Sequence, residues 1–207
     1  IEKFCKKQKV NFLKFEYSGH GKSKGNFIEG NISKWTNDAL QIIKKKIDKN
    51  KKLIFIGSSM GSWIALNLFL YFKKQIKGFI GIASAPEFIE ELMWKKFSKK
   101  IKEIIMTKKI YRLNRENFEY QITKQLILDG RKNKVLNNKI NLGIPLVLFH
   151  GLKDEAVPLN LSKKILKICK KSVKKLLIIK KGDHSLSKTN DLKKIGKELN
   201  RLILNCS

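Results

Sequence analysis

A chain of 207 residues, 42% hydrophobic and 30% charged, is long enough for one well-buried domain of globular composition. Nothing in it approaches the roughly 18 apolar residues of a membrane-spanning helix; the richest stretch, Trp63 to Phe72, is too short. The net charge of +29 carries only four arginines (Arg112, Arg115, Arg131 and Arg201), the lysines are dispersed along the whole chain, and bidentate phosphate recognition needs arginine. The charge therefore reads as compositional drift rather than as a nucleic-acid footprint.

The sequence opens at Ile1, without a methionine, inside what reads as a helix, so an N-terminally incomplete chain is expected. Val10 to Tyr17 (VNFLKFEY) alternates as a strand does, and SGHGKSKG after it is a glycine-rich loop. Ser33 to Ile47 places Trp35, Ala39, Leu40, Ile43 and Ile47 at helical spacing, with Ser33 as the predicted N-cap. Leu53 to Ile56 is the short continuous apolar run of a buried parallel strand. Gly61 to Phe72 reads as a central helix, apolar on most faces, and Ile76 to Ile82 as the next strand.

From Pro86 to about Asn141 helical spacings dominate and no strand is evident, which predicts a helical insertion. Alternation then resumes with a strand at Ile144 to His150, a helix at Asn160 to Lys171, a strand at Val173 to Ile179 and a closing helix at Asp191 to Leu204. The pattern predicts an α/β fold with a parallel sheet, one domain over residues 1–207 interrupted once at 86–141. Cys5, Cys169 and Cys206 lack metal-ligand spacing and read as free thiols of a reducing compartment.

Gly57-Ser58-Ser59-Met60-Gly61 stands between a predicted strand and a predicted helix, the setting of a nucleophile elbow. Glycines two before and two after a strained serine are expected to relieve clashes, with Ser59 exposed above the sheet edge and Ser58 structural. The N–H of Met60 is the natural oxyanion donor. A serine needs a base, and a base needs an orienting acid. Of three histidines, His184 follows the last predicted strand, whereas His150 ends the strand before it and His20 lies in a glycine-rich loop. Asp154, in the loop after His150, is the preferred acid, with Asp183 and Glu87 as competitors. The order Ser59, Asp154, His184 suits an acyl hydrolase. The alternative is a non-catalytic basic protein that docks on anionic membrane or nucleic acid.

The stretches YSGHGKSKGNFIEGNISKW, GSSMGSWIAL, GIASAPEFIEELMW, YQITKQLILDGR, HGLKDEAVP and GDHSLS resemble the α/β-hydrolase superfamily nearly end to end. Within it they are similar to mitochondrial palmitoyl-protein thioesterases and their bacterial relatives. The resemblance implies a mostly parallel sheet flanked by helices and a serine esterase or thioesterase that cleaves acyl esters, S-acyl cysteine or acyl glucuronides. It implies Ser59 as nucleophile, Asp154 as acid and His184 as base, with no metal and no organic cofactor. The expected substrate is a small ester or an acylated protein, with no nucleic-acid partner and no stable membrane insertion. The expected compartment is the cytoplasm, or alternatively the mitochondrial matrix. Residues 86–141 become a lid, in which Phe88, Leu92, Met93, Trp94 and Phe97 line an acyl pocket or pack the lid itself; Met93 and Trp94 are the candidate substrate contacts. The resemblance also places a strand, absent here, between Val10–Tyr17 and the Leu53 strand, with a loop that supplies a second oxyanion N–H.

Overall fold

The computed structural model describes residues 1–115, 118–137, 139–141 and 143–206. Its centre is a four-stranded parallel sheet of β1 (Leu53–Ser58), β2 (Ile76–Ile82), β6 (Leu146–Gly151) and β8 (Lys174–Ile179), in the order β1-β2-β6-β8. Helices α1 (Glu2–Lys7), α2 (Ile32–Lys46), α3 (Met60–Leu68), α6 (Leu159–Ile168) and α7 (Thr189–Leu204) flank it. Side chains alternate across the two faces, as a pleated strand requires. Phe79, Leu146 and Leu148 join a core with Trp35 and Trp63 beneath α2 and α3. Ile80, Ile82, Val147 and Phe149 join a second core with Cys5 of α1 and Ile195, Leu199 and Leu202 of α7. Both faces are covered, which is why these strands read as continuous apolar runs.

Helix α2 is capped by Asn31, whose side chain accepts from Lys34 N at 2.8 Å, not by Ser33. Ser33 instead lies inside the first turn and gives its N–H and hydroxyl to the Asp129 carboxylate, at 2.8 and 2.6 Å. Helix α3 ends at Leu68, short of the expected Phe72, and Leu70 and Tyr71 turn out into solvent, 71% and 58% exposed.

The stretch 86–141 is not wholly helical. A π-helical turn (Ile89–Met93) and a 3-10 turn (Trp94–Lys96) lead into α4 (Lys99–Lys108). An antiparallel hairpin of β3 (Ile110–Arg115) and β4 (Phe118–Thr123) follows, and then α5 (Lys124–Lys132). Register pairs such as Tyr111 with Ile122 and Leu113 with Tyr120 join two strands whose mixed polarity imitates a helical pattern in sequence. The segment is seated on α3: Trp63 Nε1 donates to Asn133 O at 2.8 Å, and Gly130 lets α5 lie against the Trp63 ring. Two-residue strands β5 (Ile140–Asn141) and β7 (Cys169–Lys170) pair in parallel beside the main sheet.

Val10–Tyr17 carries no strand ladder, contrary to its alternation. A strand is defined by a hydrogen-bonded neighbour, and β1 pairs only with β2 among the described residues. Between Val10–Phe15 and the other edge of β1 lies an apolar cavity of about 420 Å³, reached by Leu53, Phe55, Ile64, Leu68, Leu199 and Ile203. These residues come from both core faces. The opening therefore passes through the plane of the sheet.

Candidate active site

Three loops leave the carboxyl ends of β1, β6 and β8, and each carries one of the residues singled out above. At the end of β1, Ser59 stands at φ 50°, ψ −121° as the residue before α3. Its backbone is held on three sides: Ser59 N donates to Ile82 O at 2.9 Å, and Ser59 O accepts from Ser62 N and Ala85 N at 3.1 and 3.2 Å. Beneath it, the Ser62 hydroxyl donates to Gly57 O at 2.6 Å and the Ser84 hydroxyl donates to Ser62 Oγ at 2.9 Å, both bonds buried. A Cβ on Gly57 would lie 2.6 Å from Ser62 Cα, so glycine is required there. Gly61 differs from expectation. A Cβ there would meet only Tyr17 Oη, at 3.8 Å, because that side of the turn opens toward the cavity beside β1. Burial, with the Asp38 charge adding to it, pushes the Tyr17 phenol up to about 12, so it stays protonated. Met60 opens α3, and an N–H in that position has no partner within its helix.

Asp154 lies in the turn after β6. Its side chain is fully buried, and its Oδ1 accepts from Ala156 N at 3.0 Å and Val157 N at 2.8 Å. His184, 35% exposed at its side chain, donates from Nδ1 to Asp154 Oδ2 at 2.9 Å. The structure thus joins two of the three expected residues directly. It forms no hydrogen bond between Ser59 Oγ and His184, a contact that often tightens only when substrate is bound.

The competing acids are occupied elsewhere. Glu87, buried at φ 56°, accepts from Val135 N and Leu136 N at 2.8 and 2.7 Å. Asp183 caps its own loop by accepting from Leu186 N at 2.9 Å. His20 packs edge-on against Tyr17, Phe27 and Trp35, and His150 is wholly buried.

Met93 and Trp94 are half-buried against the larger core. The Trp94 ring is covered by the Arg131 guanidinium, 4.7 Å from its centroid, and Arg131 Nε bonds Glu90 at 2.7 Å. Leu92 packs with Ala85, Val157 and Leu161, beside the Asp154 turn, and Phe88 bridges that group and the larger core, edge-on to Trp63.

Sequence reasoning did not single out the glycines that bring the Asp154 and His184 loops together. A Cβ on Gly151 would stand 2.3 Å from Gly182 O, and one on Gly182 would stand 2.4 Å from a Leu186 methyl. Across this contact Lys153 N donates to Gly182 O at 2.9 Å. The HG and GD pairs in HGLKDEAVP and GDHSLS were the available signal. Backbone strain marks the same rim: Ser59, Ala83, Glu87 and Leu186 all have positive φ without being glycine. Among the described residues no cluster of three or more His, Cys, Asp or Glu is arranged to hold a metal. No helix of the described residues is long and apolar enough to cross a membrane.

Known proteins resemble this arrangement over most of the chain. Rat mitochondrial palmitoyl-protein thioesterase ABHD10 is 30% identical over 93% of this chain, and the match spans 65% of that protein, just under two thirds of its length. A putative hydrolase from Agrobacterium vitis superimposes with a TM-score of 0.91 at 29% identity, over 98% of this chain and 80% of that one. Mouse alpha/beta hydrolase domain-containing protein 10 does so with a TM-score of 0.87 at 27% identity, over 100% and 82%. The fold is that of the α/β hydrolases. The family model for serine aminopeptidase S33 hydrolases matches residues 3–125, a span that contains the Ser59 turn and stops before Asp154 and His184. With more than half of its length matched by that model, the chain belongs to the serine aminopeptidase S33 family of hydrolases.

Proposed function

We propose that this chain is a serine hydrolase that cleaves carboxylic ester or thioester bonds through an acyl-enzyme. The observation that carries the reading is the hydrogen bond from His184 to the buried Asp154 carboxylate, on the same sheet edge that presents Ser59 on a strained turn. With Nδ1–H committed to Asp154, His184 keeps its Nε2 lone pair for a proton from Ser59. Ser59 Oγ attacks the acyl carbon, and the N–H of Met60 receives the developing oxyanion. His184 then returns the proton to the leaving alkoxide or thiolate, and water repeats the sequence to free the acid. Every proton in this cycle moves through one imidazole, so the reaction calls on no cofactor.

The relatives named palmitoyl-protein thioesterases favour S-acyl cysteine among the substrates. Residues 86–141 act in this reading as the lid, and Phe88 and Leu92, packed beside the Asp154 turn, are its apolar approach to the site. The names of those relatives also favour a mitochondrial location over the cytoplasm, and three free thiols suit a reducing compartment of either kind.

The test is hydrolysis by the 207-residue chain of p-nitrophenyl esters of increasing acyl length, beside an S-palmitoylated peptide. A burst of nitrophenol equal to the enzyme present is expected, followed by slower turnover and release of the peptide thiol. A folded chain that gave no burst and no turnover on any of them would remove the reading.

The contact between the acid and base loops adds a prediction. Gly151→Ala forces a methyl against Gly182 O and separates Asp154 from His184. A displacement on the order of 1 Å is expected to lower kcat about 10²-fold, and overpacking to lower stability by about 1–3 kcal/mol in a urea titration.

A further inference from the structure

We infer that His150 is a positioning residue for Asp154, one that fixes the turn through which the carboxylate is aimed at His184. The inference rests on the reading of Asp154 as the partner of His184. His150 is completely buried near the end of β6, four residues before Asp154. Its Nε2 lies 2.9 Å from Val157 O, and its Nδ1 lies 2.9 Å from Ser162 Oγ on α6. A carbonyl can only accept, so Nε2 carries the proton; in the neutral ring Nδ1 then accepts from the Ser162 hydroxyl. One rigid imidazole therefore ties β6, the 154–157 turn and α6 together.

The position of Val157 is what turns this tie into a constraint on the acid. Val157 gives its N–H to Asp154 Oδ1 at 2.8 Å, while its carbonyl is held by His150. Holding the carbonyl fixes the residue whose N–H holds the carboxylate. The same Nε2–H stands 3.6 Å from Asp154 Oδ2, the oxygen that His184 bonds at 2.9 Å. Asp154 is thus set between two imidazoles, one presented toward the reaction and one wholly inside the protein. A phenyl ring would fill the space of His150 but would leave the Val157 carbonyl and the Ser162 hydroxyl without their partner. Buried groups stranded in this way relax toward other geometry.

The experiment compares His150→Phe, His150→Gln and Ser162→Ala with the parent chain by three readouts. These are kcat and KM on p-nitrophenyl acetate, the low-field proton resonance of the His184–Asp154 hydrogen bond, and urea unfolding. His150→Phe is expected to lower kcat about 10- to 100-fold with KM nearly unchanged, and to shift or broaden the resonance. In His150→Gln the amide N–H can reach Val157 O and should restore much of both. A folded His150→Phe that kept the parent kcat and an unshifted resonance, and lost only stability, would overturn the inference. Should His150→Phe fail to fold, Ser162→Ala decides. Loss of the Nδ1 partner must then broaden the resonance and lower kcat severalfold, and an unchanged resonance counts against His150. A parent chain that hydrolyses nothing, but whose resonance responds to His150 as described, would refute the hydrolase and leave the positioning role standing.

Discussion

Ser59→Ala is expected to cut ester hydrolysis about 10⁶-fold while leaving the protein as stable as before. The bonds that hold the turn are to the Ser59 backbone, namely its N–H to Ile82 O and its carbonyl to Ser62 N and Ala85 N. None uses the hydroxyl, and alanine keeps the same Cβ at the same positive φ. Only the hydroxyl oxygen, the proposed nucleophile, is removed. Loss of a nucleophile that works as a unit with its base costs on the order of 10⁶ in kcat, whereas a surface change without packing consequences stays within about 0.5 kcal/mol. Parallel assays of initial rate and urea midpoint separate the two. A variant that turned over esters at the parent rate would show that the chemistry lies elsewhere.

Asp154→Asn is expected to lower kcat about 10⁴-fold at neutral pH, again with the fold intact. Asp154 Oδ1 receives two backbone N–H groups, from Ala156 and Val157, so an asparagine would place its carbonyl oxygen there. The amide nitrogen then occupies the Oδ2 position, 2.9 Å from His184 Nδ1, as a donor facing a donor. The imidazole can answer only by moving its proton to Nε2 and accepting at Nδ1. In that tautomer the nitrogen meant for Ser59 has no free lone pair, and the base is lost without any atom having moved far. The shape of the side chain is unchanged, so KM should scarcely shift. A loss of kcat below tenfold would mean that Asp154 only supports the turn.

The sequence was most legible where one residue's neighbours along the chain decide its environment. β2 falls at Ile76–Ile82 as its apolar run predicts, and the amphipathic spacing of the closing helix places α7 within two residues. The glycine-serine turn likewise lies between a strand and a helix, where its pattern put it. Legibility ended where a distant partner decides. Val10–Tyr17 alternates like a strand, but nothing in its own residues says whether another strand will lie beside it. The hairpin of β3 and β4 was hidden because its strands mix polar and apolar residues, so their pairing rather than their polarity defines them. Ser33 looked like a cap and instead serves Asp129, 96 residues away. At the candidate site, residue type and chain order suggested Ser59, Asp154 and His184, and the structure joins Asp154 to His184. The role of Gly151 and Gly182 is a matter of two loops touching, and no local pattern reports that.

The left-handed backbone at Ser59 has a consequence for any effort to make this protein hardier. A residue held there with a side chain carries a strain of about 1–3 kcal/mol. Glycine would release it and give back about 0.5–1 kcal/mol through the greater freedom of its unfolded chain. On balance the more durable molecule is the one that has lost the hydroxyl proposed as nucleophile. On the proposed mechanism, selection for heat resistance alone would therefore push this position toward inactivity, and a programme of directed evolution on this scaffold must demand turnover in every round.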